Sequence, residues 1–112
     1  MRHLYCEPDE GRRVDSGSGH WSYPLLGPEH GCVNQCMSGV SYYTETMFTP
    51  EAVHEFQEGF LVLSGAGEAR VDGQTFPLKP MVSFLAPAGA WHTMRSASPE
   101  EPLVLFWFHA KA

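Results

Sequence analysis

From residue 38 onward the chain is cut by Gly and Pro into short apolar runs that never hold a helical period, and this punctuation limits what it can fold into. Residues 38–48 (SGVSYYTETMF) alternate and are rich in Tyr, Thr and Val, types that suit a pleated, half-buried surface. Residues 59–65 (GFLVLSG) are a short β-type run closed by a turn. Residues 67–71 (GEARV) and 75–78 (TFPL) flank Asp72-Gly73, the strongest short hairpin signal in the chain. Residues 82–87 (VSFLAP) read as a strand ended by proline, and in residues 90–98 Trp91, Thr93 and Arg95 alternate against His92, Met94 and Ser96. Residues 102–110 (PLVLFWFHA) read as a buried strand. The best helical candidate is residues 50–58. Seven or so short strands at about 8–12-residue spacing predict an all-β sandwich or barrel.

The first 37 residues differ. They are polar and rich in turn formers (EPDEGRR, DSGSGH, LLGPEHG), and they predict an arm with short extended pieces near residues 4–5 and 21–26. The length of 112 residues fits one domain, 1–112, with the arm over 1–37 and the barrel over 38–110. A hydrophobic content of 43% is enough to build a core.

Charge and patterning exclude several roles. Seven Lys and Arg face thirteen Asp and Glu, a formal charge of −6, and no basic run is present. A phosphate-backbone binder needs clustered cations, so neither nucleic acid nor an anionic membrane is an expected partner. The longest apolar run, residues 103–108, falls far short of the ~20 residues of a membrane span. The first 20 residues lack the apolar centre of an export signal. The three cysteines, Cys6, Cys32 and Cys36, are an odd number for a disulfide framework, so a reducing cytoplasm is the expected compartment.

Two short segments carry the chemistry. His54 and Glu58 stand four apart, a spacing that puts both on one face of a helix or of a strand. Gly59 and the β-type run after it favour a strand with a bend. An imidazole and a carboxylate on one face form a partial site for a divalent transition metal, although such pairs are common on solvated surfaces. Residues 87–92 (PAGAWH) set a tight turn before a strand whose second residue is His92. By alternation Phe56, Phe60 and Val62 share the inward face of His54 and Glu58, while Met94 and Ser96 share that of His92. Phe56, Phe60, Met94 and Ser96 are therefore candidate pocket walls, an apolar lining with a few convergent polar groups. Glu55 and Gln57 have the opposite parity. Tyr43, Phe84, Trp91, Phe106, Trp107 and Phe108 read as core. Arg70 and Lys79 are candidates to receive a carboxylate or sugar hydroxyls, and Arg95 reads as a surface charge. His3, His20 and His30 read as solvated in the arm, and His109 as an edge residue ending the last strand. His30, Cys32 and Cys36 have a metal-like look, but no matching second half completes a zinc site.

Together the two segments, with the Asp72-Gly73 hairpin between them, resemble the cupin superfamily. Its first motif, G-x5-H-x-H-x3-4-E-x6-G, is matched by His54, Glu58 and Gly65, and its second, G-x5-P-x-G-x2-H-x3-N, by Pro87, Gly89 and His92. The resemblance covers about residues 38–110 and implies a double-stranded β-helix, or jelly-roll, barrel. The departures are Thr46 and Met81 at the opening glycines, Ala52 at the first histidine and Ser96 at the closing asparagine. What remains of the implied ligand set is His54, Glu58 and His92, still a recognised unit of two histidines and one carboxylate. The expected cofactor is a divalent transition metal: Fe, Mn, Ni or Zn. The expected function is metal-dependent isomerase, lyase or dioxygenase chemistry on a small polar molecule, with Glu58 or His92 as acid/base groups if no metal is held.

A competing expectation is a non-catalytic binding or sensing module. Residues 71–80 and 85–92 (VDGQTFPLKP and LAPAGAWH) are similar to the sugar-sensing cupin domains of arabinose-type regulators, although no helix-turn-helix segment follows here. The resemblance also implies a homodimer, with the arm available to exchange a strand.

Overall fold

Nine strands run through the described residues: β1 (Val14–Gly17), β2 (His20–Pro24), β3 (Met37–Tyr43), β4 (Gln57–Ser64), β5 (Gly67–Val71), β6 (Gln74–Leu78), β7 (Ser83–Ala86), β8 (His92–Ser96) and β9 (Leu103–Ala110). The structure is a computed structural model and describes residues 4–17 and 19–111. The only helical pieces among these are 3-10 turns at Glu10–Arg12 and Pro28–His30. All strand pairings are antiparallel. One sheet has the order β1-β2-β3-β9-β4-β7 and the other β6-β5-β8, a jelly-roll barrel.

The expected strands from residue 38 onward all form. Asp72 (φ 50°) and Gly73 (φ 81°) both take the left-handed conformation that a two-residue hairpin requires, and Val71 pairs with Gln74 across it. The core is the inward face of both sheets: Phe60, Val62, Ala69, Leu78, Met94, Leu103 and Leu105 are all buried. Leu103 and Leu105 are fully enclosed because β9 lies between β3 and β4, hydrogen-bonded on both sides. Gly39 faces Trp107 across the sheet, where a Cβ would overlap the indole ring. Its missing side chain lets the indole lie flat over β3.

Three expectations are corrected. The helical candidate at residues 50–58 does not form: residues 45–52 pass along the free edge of β8, touching it at three points, and the chain then bends at 55–56 into β4. Glu45 O accepts from Ser96 N (2.8 Å), Thr49 N donates to Met94 O (3.3 Å), and Ala52 pairs with His92 through two 2.9 Å bonds. The backbone needs of β8 override the local helical pattern. In the arm β2 (His20–Pro24) covers most of the extended piece expected near residues 21–26, but residues 4–5 are not in a strand and the second strand is instead β1 (Val14–Gly17). Trp91 and Phe108 are not core, being 53% and 43% exposed. Trp91 has the outward parity of β8 and Phe108 that of β9.

At Met81, where the resemblance places a glycine, φ is 76°. A side chain in that region strains against its own backbone. Met81→Gly is expected to stabilise the protein by up to about 1 kcal/mol, the relief of strain outweighing the added freedom of the unfolded chain. Urea unfolding checks this, and a destabilised variant would contradict it.

Candidate metal centre

Glu58 begins the inward face of β4, paired with Ala86 of β7 on one side and His109 of β9 on the other. Its carboxylate is ringed by three imidazoles. Oε1 lies 3.5 Å from His54 Nε2 and 3.2 Å from His92 Nε2. Oε2 lies 2.7 Å from His109 Nε2. These groups arrive from four places. His92 opens β8 of the small sheet, locked there by Ala52. His54 sits in the segment before β4, its carbonyl accepting from Gly89 N at 2.8 Å. The turn that carries Gly89 (φ 80°) thus ties the two motifs together. His109 hangs from the central strand of the large sheet.

One ligand atom each from His54, Glu58 and His92 lies within 4.8 Å of the others. His92 Nδ1 faces the Ala90 carbonyl at 3.5 Å, with Nε2 on the opposite side of the ring turned toward Glu58 Oε1. Burial lowers the pKa of His54, although Glu58 raises it and His92 and His109 lower it further, so its imidazole favours the neutral, ligating form. Burial works to raise the Glu58 pKa, but hydrogen bonds and charge from His109 and His92 outweigh it and hold the carboxyl at about 2. Two imidazoles and an ionised carboxylate suit a divalent transition ion by number, type and proximity.

The cavity that these residues line has a volume of about 390 Å³. Phe60 and Met94 form part of its wall, as their parity predicts, with Trp107, Tyr43 and Ala52 beside them. Phe56 and Ser96 do not line it. Phe56 stacks flat on His54 at 4.7 Å and buttresses that imidazole. Ser96 shares the inward face but lies at the far end of β8, where its hydroxyl binds the carbonyls of Ser98 and Glu101.

Other readings are corrected. His109 is no edge residue: the parity of Leu103, Leu105 and Trp107 carries it inward on a central strand, a signal that alternation alone contains. His20 is not solvated. It lines the cavity, stacks on Tyr43 at 4.1 Å, and burial lowers its pKa despite the pull of Glu58. His30 is largely buried, its Nδ1 accepting from Gly27 N at 3.1 Å. His3 lies outside the described residues. Arg70 and Lys79 do not line the cavity; Arg70 and Arg95 both lie over Phe48, and Arg95 pairs with Glu68. Among the described residues no helix is long and apolar enough to cross a membrane.

The cupin domain pattern matches residues 40–109 of the sequence. The chain belongs to the cupin family. Solved structures share the cupin fold at low identity. A protein called plu4264 from Photorhabdus luminescens is 16% identical, with a TM-score of 0.77 over 97% of this chain and 88% of its own. An RmlC-like cupin from Shewanella frigidimarina is 18% identical, with a TM-score of 0.73 over 98% and 96%. The cupin domain of Cnp3 from Schizosaccharomyces pombe is 20% identical, with a TM-score of 0.72 over 83% of this chain, which spans only 61% of that one. No curated protein sequence matches significantly.

The depressed Glu58 carboxyl makes a sign-defined prediction for this cupin without metal. Its contribution to stability is complete above the ordinary pKa of 4.5 and disappears as the pH falls toward about 2. The stability gap between wild type and Glu58→Gln is therefore expected to close across that window in urea unfolding at stepped pH. A gap that stays constant would contradict the assignment.

Proposed function

We propose that this cupin holds one divalent transition ion, Fe, Mn, Ni or Zn, on His54, Glu58 and His92 and binds a small polar molecule in the adjoining cavity. The supporting observation is the convergence of three such donors, within 4.8 Å of one another, in a cavity of about 390 Å³. When bound, the ion supplies Lewis acidity or oxygen activation.

The chain's own residues suit an enzyme of the isomerase, lyase or dioxygenase kind. Glu58, held ionised at about 2, is too weak a base for efficient proton abstraction at neutral pH, which favours its use as a ligand. His92 keeps its Nε2 directed at the same centre. Among the described residues no Lys or Arg lines the cavity, whereas Ser22, Ser41 and Tyr43 offer hydroxyls and Phe60, Met94 and Trp107 offer apolar surface. That lining favours an uncharged, hydroxyl-bearing molecule over an anion. Free cysteines at Cys6, Cys32 and Cys36 are in keeping with a reducing, cytoplasmic setting.

A second reading, a non-catalytic binding module, is favoured by Ala52. The first-motif position is filled by a methyl group that lines the cavity and pairs with His92. Elemental analysis separates the two readings. The enzyme reading expects close to one transition ion per chain, reduced at least tenfold in occupancy by His54→Ala and by His92→Ala. No ion after incubation with Fe(II), Mn(II), Ni(II) and Zn(II) would overturn it in favour of the second.

A homodimer is proposed through the outer face of the large sheet. There Leu85 and Phe108 flank Gly59 in register, with the Phe108 ring lying over the glycine, and Leu63 is exposed nearby. Such an apolar cluster fits a symmetric partner surface. Sedimentation is expected to give twice the chain mass for wild type and a monomer for Phe108→Glu. A monomeric wild type would overturn the proposal.

A further inference from the structure

We infer that His109 is a positioning residue of the metal centre: its Nε2–H holds Glu58 Oε2 and leaves Oε1 as the one carboxylate oxygen turned toward His54 and His92. This role presupposes the proposed metal centre and adds a residue that neither cupin motif contains.

The division of the carboxylate is geometric. His54 and His92 both approach Oε1, at 3.5 and 3.2 Å. Among the described residues His109 is the one imidazole that approaches Oε2, at the hydrogen-bonding distance of 2.7 Å. The 2.7 Å contact is a hydrogen bond, and with the carboxylate oxygen as acceptor its donor is the His109 Nε2–H. A nitrogen in that state has no lone pair for an ion. His109 accordingly stands outside the set of ligand atoms that lie within 4.8 Å of one another.

The ring is also held in place. It lies between Phe56, at 4.2 Å between centroids, and Trp107, at 4.7 Å. Its backbone is the register partner of both Glu58 on β4 and Met37 on β3. A locked ring on a central strand fixes the carboxylate rotation that it bonds. Ligating carboxylates held in this way bind through a defined oxygen, and loss of the partner weakens metal affinity. One oxygen, in place of two, also leaves an additional coordination position open to a small molecule.

Titration of the whole protein with Co(II), followed by calorimetry and visible absorption, tests the role on wild type, His109→Ala and His109→Gln. The glutamine amide N–H can replace the Nε2–H donor but not a ligating imidazole nitrogen. His109→Ala is expected to bind Co(II) about 10- to 100-fold more weakly, with a shifted absorption band. His109→Gln is expected to bind within a few-fold of wild type and keep its band. If His109→Ala fails to fold, His109→Gln carries the test alone. Wild-type affinity in His109→Ala would overturn the role. So would a His109→Gln variant with strongly weakened binding and an altered band, which would make His109 a ligand. Failure of wild type to bind Co(II) would instead overturn the metal centre itself, and this role with it.

Discussion

A single buried negative charge organises the site. Glu58 is 8% exposed, and an unpaired carboxylate in that position would be strongly unfavourable. Three imidazoles compensate it, one from the segment before β4, one from β8 and one from β9. The charge therefore links both sheets at one end of the barrel. Removing any one partner changes the environment of the others, because all three converge on the same two oxygens.

That convergence depends on backbone constraints some distance away in sequence. Ala52 pairs with His92, and Gly89 N donates to His54 O, so each motif anchors the other. Residues 45–52 cover the free edge of β8, which would otherwise leave ladder groups unpaired. Trp107 lies flat where Gly39 has no side chain, and next to it along β9 is His109. No buried side-chain polar atom among the described residues lacks a hydrogen-bond partner. Each group of the site is thus held by packing or hydrogen bonds from its neighbours, the kind of support that selective binding needs.

Most of the barrel was readable in the residues. Alternation and turn chemistry located the strands from β3 to β9, and the Asp72-Gly73 hairpin formed with the expected left-handed pair. The arm was harder to read, because β1 and β2 owe their structure to pairing with β3 more than to their own composition. His54 and Glu58 were singled out by their four-residue spacing, and His92 joined them through the resemblance to the two cupin motifs. His20 was missed because its burial depends on stacking against Tyr43, 23 residues away. His109 was missed for a different reason. Its inward parity was visible in Leu103, Leu105 and Trp107, but its partner could be known only once β9 was placed beside β4. The loss of Ser96 from the cavity is a matter of length: alternation gives the face, and about 7 Å of strand separates Ser96 from Met94 along it.

The chain thus keeps the cupin framework while altering its ligand set, with Ala52 where the first motif carries a histidine and His109 bonded to the other side of the carboxylate. In the proposed metal centre His54, Glu58 and His92 hold the ion directly. X-ray absorption at the metal edge of the Zn-loaded protein tests it most directly. The expected spectrum has a shell of nitrogen and oxygen only, at about 2.0–2.2 Å, with the outer scattering of two imidazoles. A sulfur shell at about 2.3 Å, which would point to Cys32 and Cys36, or the absence of imidazole scattering would contradict it.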